Sequence, residues 1–77
     1  MNRARRKLLE AAKEHITTAL DIVREVYADE EEAKDNLPES LQNGEKGEKM
    51  QEAIDALETI ADALETAQAD IDEVIIL

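Results

Sequence analysis

DNLPESLQNGEKG, residues 35–47, decides the fold of this 77-residue chain. It holds the only proline, Pro38, and both glycines, Gly44 and Gly47, so the strong helix breakers sit in one short stretch near the middle. Pro38 disfavours helical geometry at Leu37 and so ends a preceding helix there. Its fixed φ also suits the start of a short helical turn running through Gln42. Asn43-Gly44 predicts a left-handed conformation that terminates this turn, and Gly47 falls either at the cap or in the first turn of the segment that follows. Leu37 and Leu41 lie four apart, with Pro38 between them, and the three are expected to close as an ordered lid over the end of the fold.

Working outward from this loop, both flanks carry seven-residue spacing. On the N-terminal side Leu9, Ile16 and Val23 recur every seven residues, accompanied three positions later by Ala12, Ala19, Val26 and Ala33. On the C-terminal side Met50, Leu57, Leu64 and Ile71 repeat in the same way, with Ala53, Ile60, Ala67 and Val74 beside them. Apolar residues alternately three and four apart lay a continuous seam along one side of a helix. The reading is therefore all-α: an antiparallel, coiled-coil-like two-helix hairpin. Its expected elements are a helix over about 3–34, an ordered loop over about 35–46 and a second helix over about 47–75, all in one domain.

The apolar stripe is wider than a simple seam. Leu8 and Ile22 flank it on one side of the first helix, and Leu20 and Tyr27 on the other. Ile54, Ile75, Ala56 and Ala63 widen it on the second. One neighbouring helix cannot cover so broad a stripe. The expected assembly is an antiparallel homodimer forming a four-helix bundle, with Leu9, Ile16, Val23, Met50, Leu57, Ile60, Leu64 and Ile71 as its self-association core. The alternative is a monomeric hairpin in which Ala12, Ala19, Ala53 and Ala67 let the two helices approach closely.

Charge is placed unevenly within a net −11. Arg3, Arg5, Arg6 and Lys7 make the start basic, and an antiparallel hairpin is expected to bring them alongside Asp70, Asp72 and Glu73. Such exposed pairs are worth only about 0.2–1 kcal/mol each. Beyond Lys49 there is no lysine or arginine at all. There Glu52, Asp55, Glu58, Asp62, Glu65 and Asp72 form a one-signed stripe opposite the seam, whereas a solvated helix face ordinarily mixes signs. Such a stripe resembles the charge rows of a nucleic-acid backbone and favours a cationic protein partner, with plain solubility as its simpler explanation. Direct nucleic-acid binding is not expected, because the acidic surface repels phosphate and no aromatic stacking residue accompanies the basic start. The run Asp29-Glu30-Glu31-Glu32 opposes the dipole at the end of the first helix and reads as a solvated final turn partly answered by Lys34.

Nothing in the chain spells out a reaction. There is no cysteine and one histidine, His15. A di-metal helical bundle would need a glutamate three residues before that histidine, where this chain has Ala12. No glycine-rich phosphate loop or paired nucleophile and base is present. No enzymatic activity, metal or cofactor is expected. A transmembrane span needs about 18 or more consecutive apolar residues, and no such run occurs. The basic start lacks the apolar segment of a secretory signal. The expected location is the cytoplasm.

Asp35-Asn36-Leu37-Pro38-Glu39-Ser40-Leu41-Gln42, then Gly47-Glu48-Lys49-Met50, then Ala53-Ile54-Asp55 give residues 29–58 a resemblance to a group of small acidic helical proteins from phages, prophages and conjugative elements of Gram-positive bacteria. Where members of that group carry an aromatic residue just ahead of the Asp-Asn-Leu-Pro run, this chain has Lys34. The resemblance implies a context rather than a mechanism: an accessory protein of a mobile element, in a bacterial host, that binds and disables a host protein.

Overall fold

A computed structural model describes residues 1–77 as three helices: α1 (Arg3–Asp35), α2 (Glu39–Gln42) and α3 (Glu45–Ile75). The chain has no strands, and α1 and α3 lie against one another along an elongated rod of 58 × 15 × 12 Å. The all-α hairpin expected from the seven-residue spacing is what forms. Asn2 starts α1, its side-chain oxygen accepting a 2.9 Å hydrogen bond from the Arg5 N–H and so satisfying one of the orphan donors of the first turn.

The loop is held by specific contacts. The Pro38 carbonyl accepts from the N–H groups of Leu41 and Gln42 at 2.8 and 3.1 Å, which makes α2 the single turn that the proline position predicts. The Gln42 side-chain amide reaches back and donates to the carbonyls of Leu37 at 2.9 Å and Asp35 at 3.2 Å, serving acceptors left open where α1 ends. Asn43 and Gly44 have φ of −97° and −91°, so the left-handed terminator expected there does not form. The reason is local: after only one turn the chain passes from Asn43 through an extended Gly44, the N-cap of α3, without reversing handedness. Gly47 lies inside the first turn of α3 and is buried, because the end of α2 rests directly on its backbone.

Packing along α1 and α3 selects one of two available rows. Leu9, Ile16 and Val23 face the seam, as do Met50, Leu57, Leu64 and Ile71. Their companions, however, are the residues four positions on: Lys13, Leu20, Tyr27 and Lys34 on α1, and Ile54, Ala61, Gln68 and Ile75 on α3. Leu20 and Ile54 are the most buried side chains, at 3 % and 4 % exposure. The row three positions on is left at the margin, with Val26 at 45 % and Ile60 at 46 % exposure. Size explains the choice. Leu20 and Tyr27 bury more apolar surface than Ala19 and Val26, while Lys13 and Lys34 lay their stems over the seam and keep their charges in water.

This choice gives the rod two unlike edges. On one, α1 and α3 are laced by polar contacts: Lys13 to Asp72 at 2.6 Å, Thr17 to Gln68 at 2.7 Å, Lys34 to Gln51 at 2.6 Å, and the pair Arg24–Glu65. The other edge carries the rows of Leu8, Ala12, Ala19, Ile22 and Val26 from α1, and of Ile60, Ala63, Ala67 and Val74 from α3. Each of these rows is displaced from its seam in the same rotational sense about its own helix. Because the helices are antiparallel, that shared sense turns both rows to the same side of the hairpin.

Candidate functional site

The acidic stripe of α3 is built by a helix with no internal breaker beyond Gly47, so residues three and four apart stand one above another. Glu52, Asp55, Glu58, Asp62, Glu65 and Asp72 are all exposed. Their surroundings differ. Glu65 meets the Arg24 guanidinium and Asp72 the Lys13 ammonium, both reaching across from α1. Asp55 accepts a 2.8 Å hydrogen bond from the Gln51 side chain one turn earlier. Glu58 lies beside Tyr27 in the shallow recess of the polar edge. Glu52 and Asp62 meet no cation. The stripe is thus partly answered toward its C-terminal half and open around residues 52–62.

Tyr27 has a displaced titration. Partial desolvation first, and then the negative charges of Glu31, Glu58 and Asp55, push its hydroxyl above the ordinary value of 10.0.

The basic start does not meet the acids expected of it. Asp72 is taken by Lys13, and the same register sets Arg3–Lys7 beyond the last turn of α3. None of Arg3, Arg5, Arg6 and Lys7 makes an ion pair within the chain. Lys13 and Arg24, which answer the stripe, and Lys34, which donates to Gln51, are cross-helix cations that the sequence signals only by position. They are the only basic residues of α1 after Lys7, and they fall beside the seam, where coiled-coil partners exchange charges.

Of the eight residues expected to form a self-association core, Leu9, Ile16, Val23, Met50, Leu57, Leu64 and Ile71 lie half-buried in the seam between α1 and α3 of one chain. Ile60 alone stands outside it, exposed on the apolar edge. The lid divides in a similar way. Leu37 is half-buried, Pro38 is exposed, and Leu41 stays at 45 % exposure, lining an open groove with Glu30, Lys46, Lys49, Met50 and Ala53. His15 is exposed on α1, and no three His, Cys, Asp or Glu side chains are gathered to hold a metal ion. No helix is long and apolar enough to cross a membrane.

Compared with known proteins, the chain matches no family model, no curated protein and no solved structure.

Proposed function

We propose that this chain is a non-catalytic protein-interaction module whose acidic α3 face docks a basic protein surface. The observation that carries the reading is the absence of any cation after Lys49 on a helix whose residues 52–62 keep four carboxylates exposed. Rows of carboxylates three and four residues apart offer a basic groove regularly repeated negative charge, the sign that a phosphate backbone presents. In the mobile-element context that residues 29–58 suggest, the partner is a nucleic-acid-binding host or defence protein in the bacterial cytoplasm, which the module occupies and blocks. The test is capture from host lysate at low and high salt, with the chain and with a Glu52→Lys, Asp55→Lys, Asp62→Lys variant. The expected partner is a basic protein released by salt, lost with the variant and displaced by duplex DNA. Recovery of the chain alone, or capture unaffected by the charge reversals, overturns the reading.

A second reading, in which self-association into a four-helix bundle is the activity itself, is favoured by a different observation. Leu8, Ile22, Val26, Ile60 and Val74 remain between 37 % and 71 % exposed in a single hairpin. Such an assembly keeps its function when the acids of α3 are reversed, whereas the docking module does not.

A further inference from the structure

The apolar edge of the hairpin is long enough, neutral enough and regular enough to say what covers it. We infer that a second copy of this chain packs on this edge, reversed end to end, with α1 against α1 and α3 against α3. The inference rests on the self-association reading above and adds the face and the orientation.

Size is the first ground. A rod of 58 × 15 Å presents on the order of 800 Å² along one long side, the area that each partner contributes to a standard stable interface. Only Leu20, Ile54 and Gly47 are buried within one chain, so the hairpin has far more apolar surface than its own seam removes from water.

The second is charge. Two chains of net −11 repel each other over most of their surfaces. The rows of this edge carry Arg5, Lys46 and Lys49 against Asp29 and Asp70, with His15 counted as neutral, so this side is close to neutral. A strongly basic partner is drawn to the opposite side of α3. A second acidic chain is least repelled here.

The third is shape. The register that joins Lys13 to Asp72 and Lys34 to Gln51 also sets Leu8 level with Leu77 and Val26 level with Ile60. Between and beyond these two bulky layers lie Ala19 level with Ala67, and Ala33 level with Ala53. The Ala19–Ala67, Val26–Ile60 and Ala33–Ala53 layers therefore alternate small and bulky at seven-residue intervals. Turning one copy end to end about the level of Ile22 and Ala63 lays the Val26–Ile60 layer of each copy over the Ala19–Ala67 layer of the other, which lets the side chains interlock. With both loops at the same end, bulky layers would meet bulky layers and alanines would face alanines across a gap.

Sedimentation equilibrium of the chain and of two charge-insertion variants, Ile22→Glu on the apolar edge and Thr17→Glu on the polar edge, tests the face. Wild type and Thr17→Glu should have twice the 8.6 kDa chain mass. Ile22→Glu should weaken the dimer by ~100-fold or more, because its carboxylate would be buried without a partner. Ile22 is exposed within one hairpin, so helicity by circular dichroism at low concentration should match that of the dissociated wild type. Orientation is read by mild oxidation, since the chain has no cysteine of its own. Ile22→Cys, at the centre of the reversal, should form a disulfide-linked dimer, and Ala33→Cys, near the loop, should not. A monomeric wild type overturns both this inference and the self-association reading. A dimer that survives Ile22→Glu overturns the face alone, and a dimer in which Ile22→Cys fails to cross-link, or Ala33→Cys does cross-link, overturns the orientation alone.

Discussion

Gly47 occupies the third position of α3, and a Cβ built there would lie 1.9 Å from the Gln42 carbonyl oxygen. The glycine is needed for that close approach and not for its φ, which is negative. Gly47→Ala must push α2 off α3, and it is expected to cost about 2–3 kcal/mol despite alanine's better helix propensity. Thermal melts should show a fall of roughly 10 °C or more for a chain of this size. Gly44 is a control. A Cβ there meets the carbonyl oxygens of Leu41 and Ser40 at an ordinary 3.6 and 3.9 Å, and this N-cap has no side-chain hydrogen bond. Gly44→Ser should stabilise by a few tenths of a kcal/mol. Tyr27 gives a second test at this scale. The folded chain holds the phenol proton more tightly than the unfolded chain, so its contribution to stability is complete below pH 10.0 and is lost as pH rises through the higher folded value. Because it is the only tyrosine, an ultraviolet absorbance titration reads it directly. The midpoint should exceed 10.0 in the folded chain and return to that ordinary value in denaturant.

Between α1 and α3, apolar packing and polar lacing contribute unequally. Leu20 and Ile54 are almost completely buried, and replacing either with alanine should cost about 2–5 kcal/mol by chemical denaturation. Arg24 and Glu65 are half-exposed, and breaking that pair should cost no more than about 1 kcal/mol. The polar contacts act instead on register and side. They tie Lys13 to Asp72 and Lys34 to Gln51, which holds one edge of the seam together and leaves the aliphatic rows on the other. A double variant removing Lys13 and Lys34 should keep most of the stability of the parent.

At the scale of the whole molecule, shape and charge act together. The radius of gyration is 17.4 Å, whereas a compact domain of this length would have about 11–12 Å. A rod buries little of its chain and spreads like charges along its length. Repulsion among twenty acidic residues opposed by nine basic ones is screened by salt, so the melting temperature should rise by several degrees between low and moderate ionic strength. A melting temperature that falls with added salt would show that the cross-helix ion pairs outweigh the repulsion.

Seven-residue spacing and the position of Pro38 were enough to determine two long helices, their direction reversal and the single turn between them, because these depend on local backbone geometry and on the period of the apolar residues. The limits of the helices were legible for the same reason, with α3 starting two residues earlier than its expected first residue at about 47. The edge of the seam was not legible. Leu9, Ile16 and Val23 are compatible with a companion row three positions on or four positions on, and both rows contain apolar residues. Only the packed pair decides between them, through the greater area of Leu20 and Tyr27 and the reach of Lys13 and Lys34 across to α3. That decision also determines which carboxylates are answered and which aliphatic residues remain free. The acidic stripe was visible as composition on one helix, but its division into paired and open parts depends on a neighbouring helix more than forty residues away in the chain for Arg24 and Glu65.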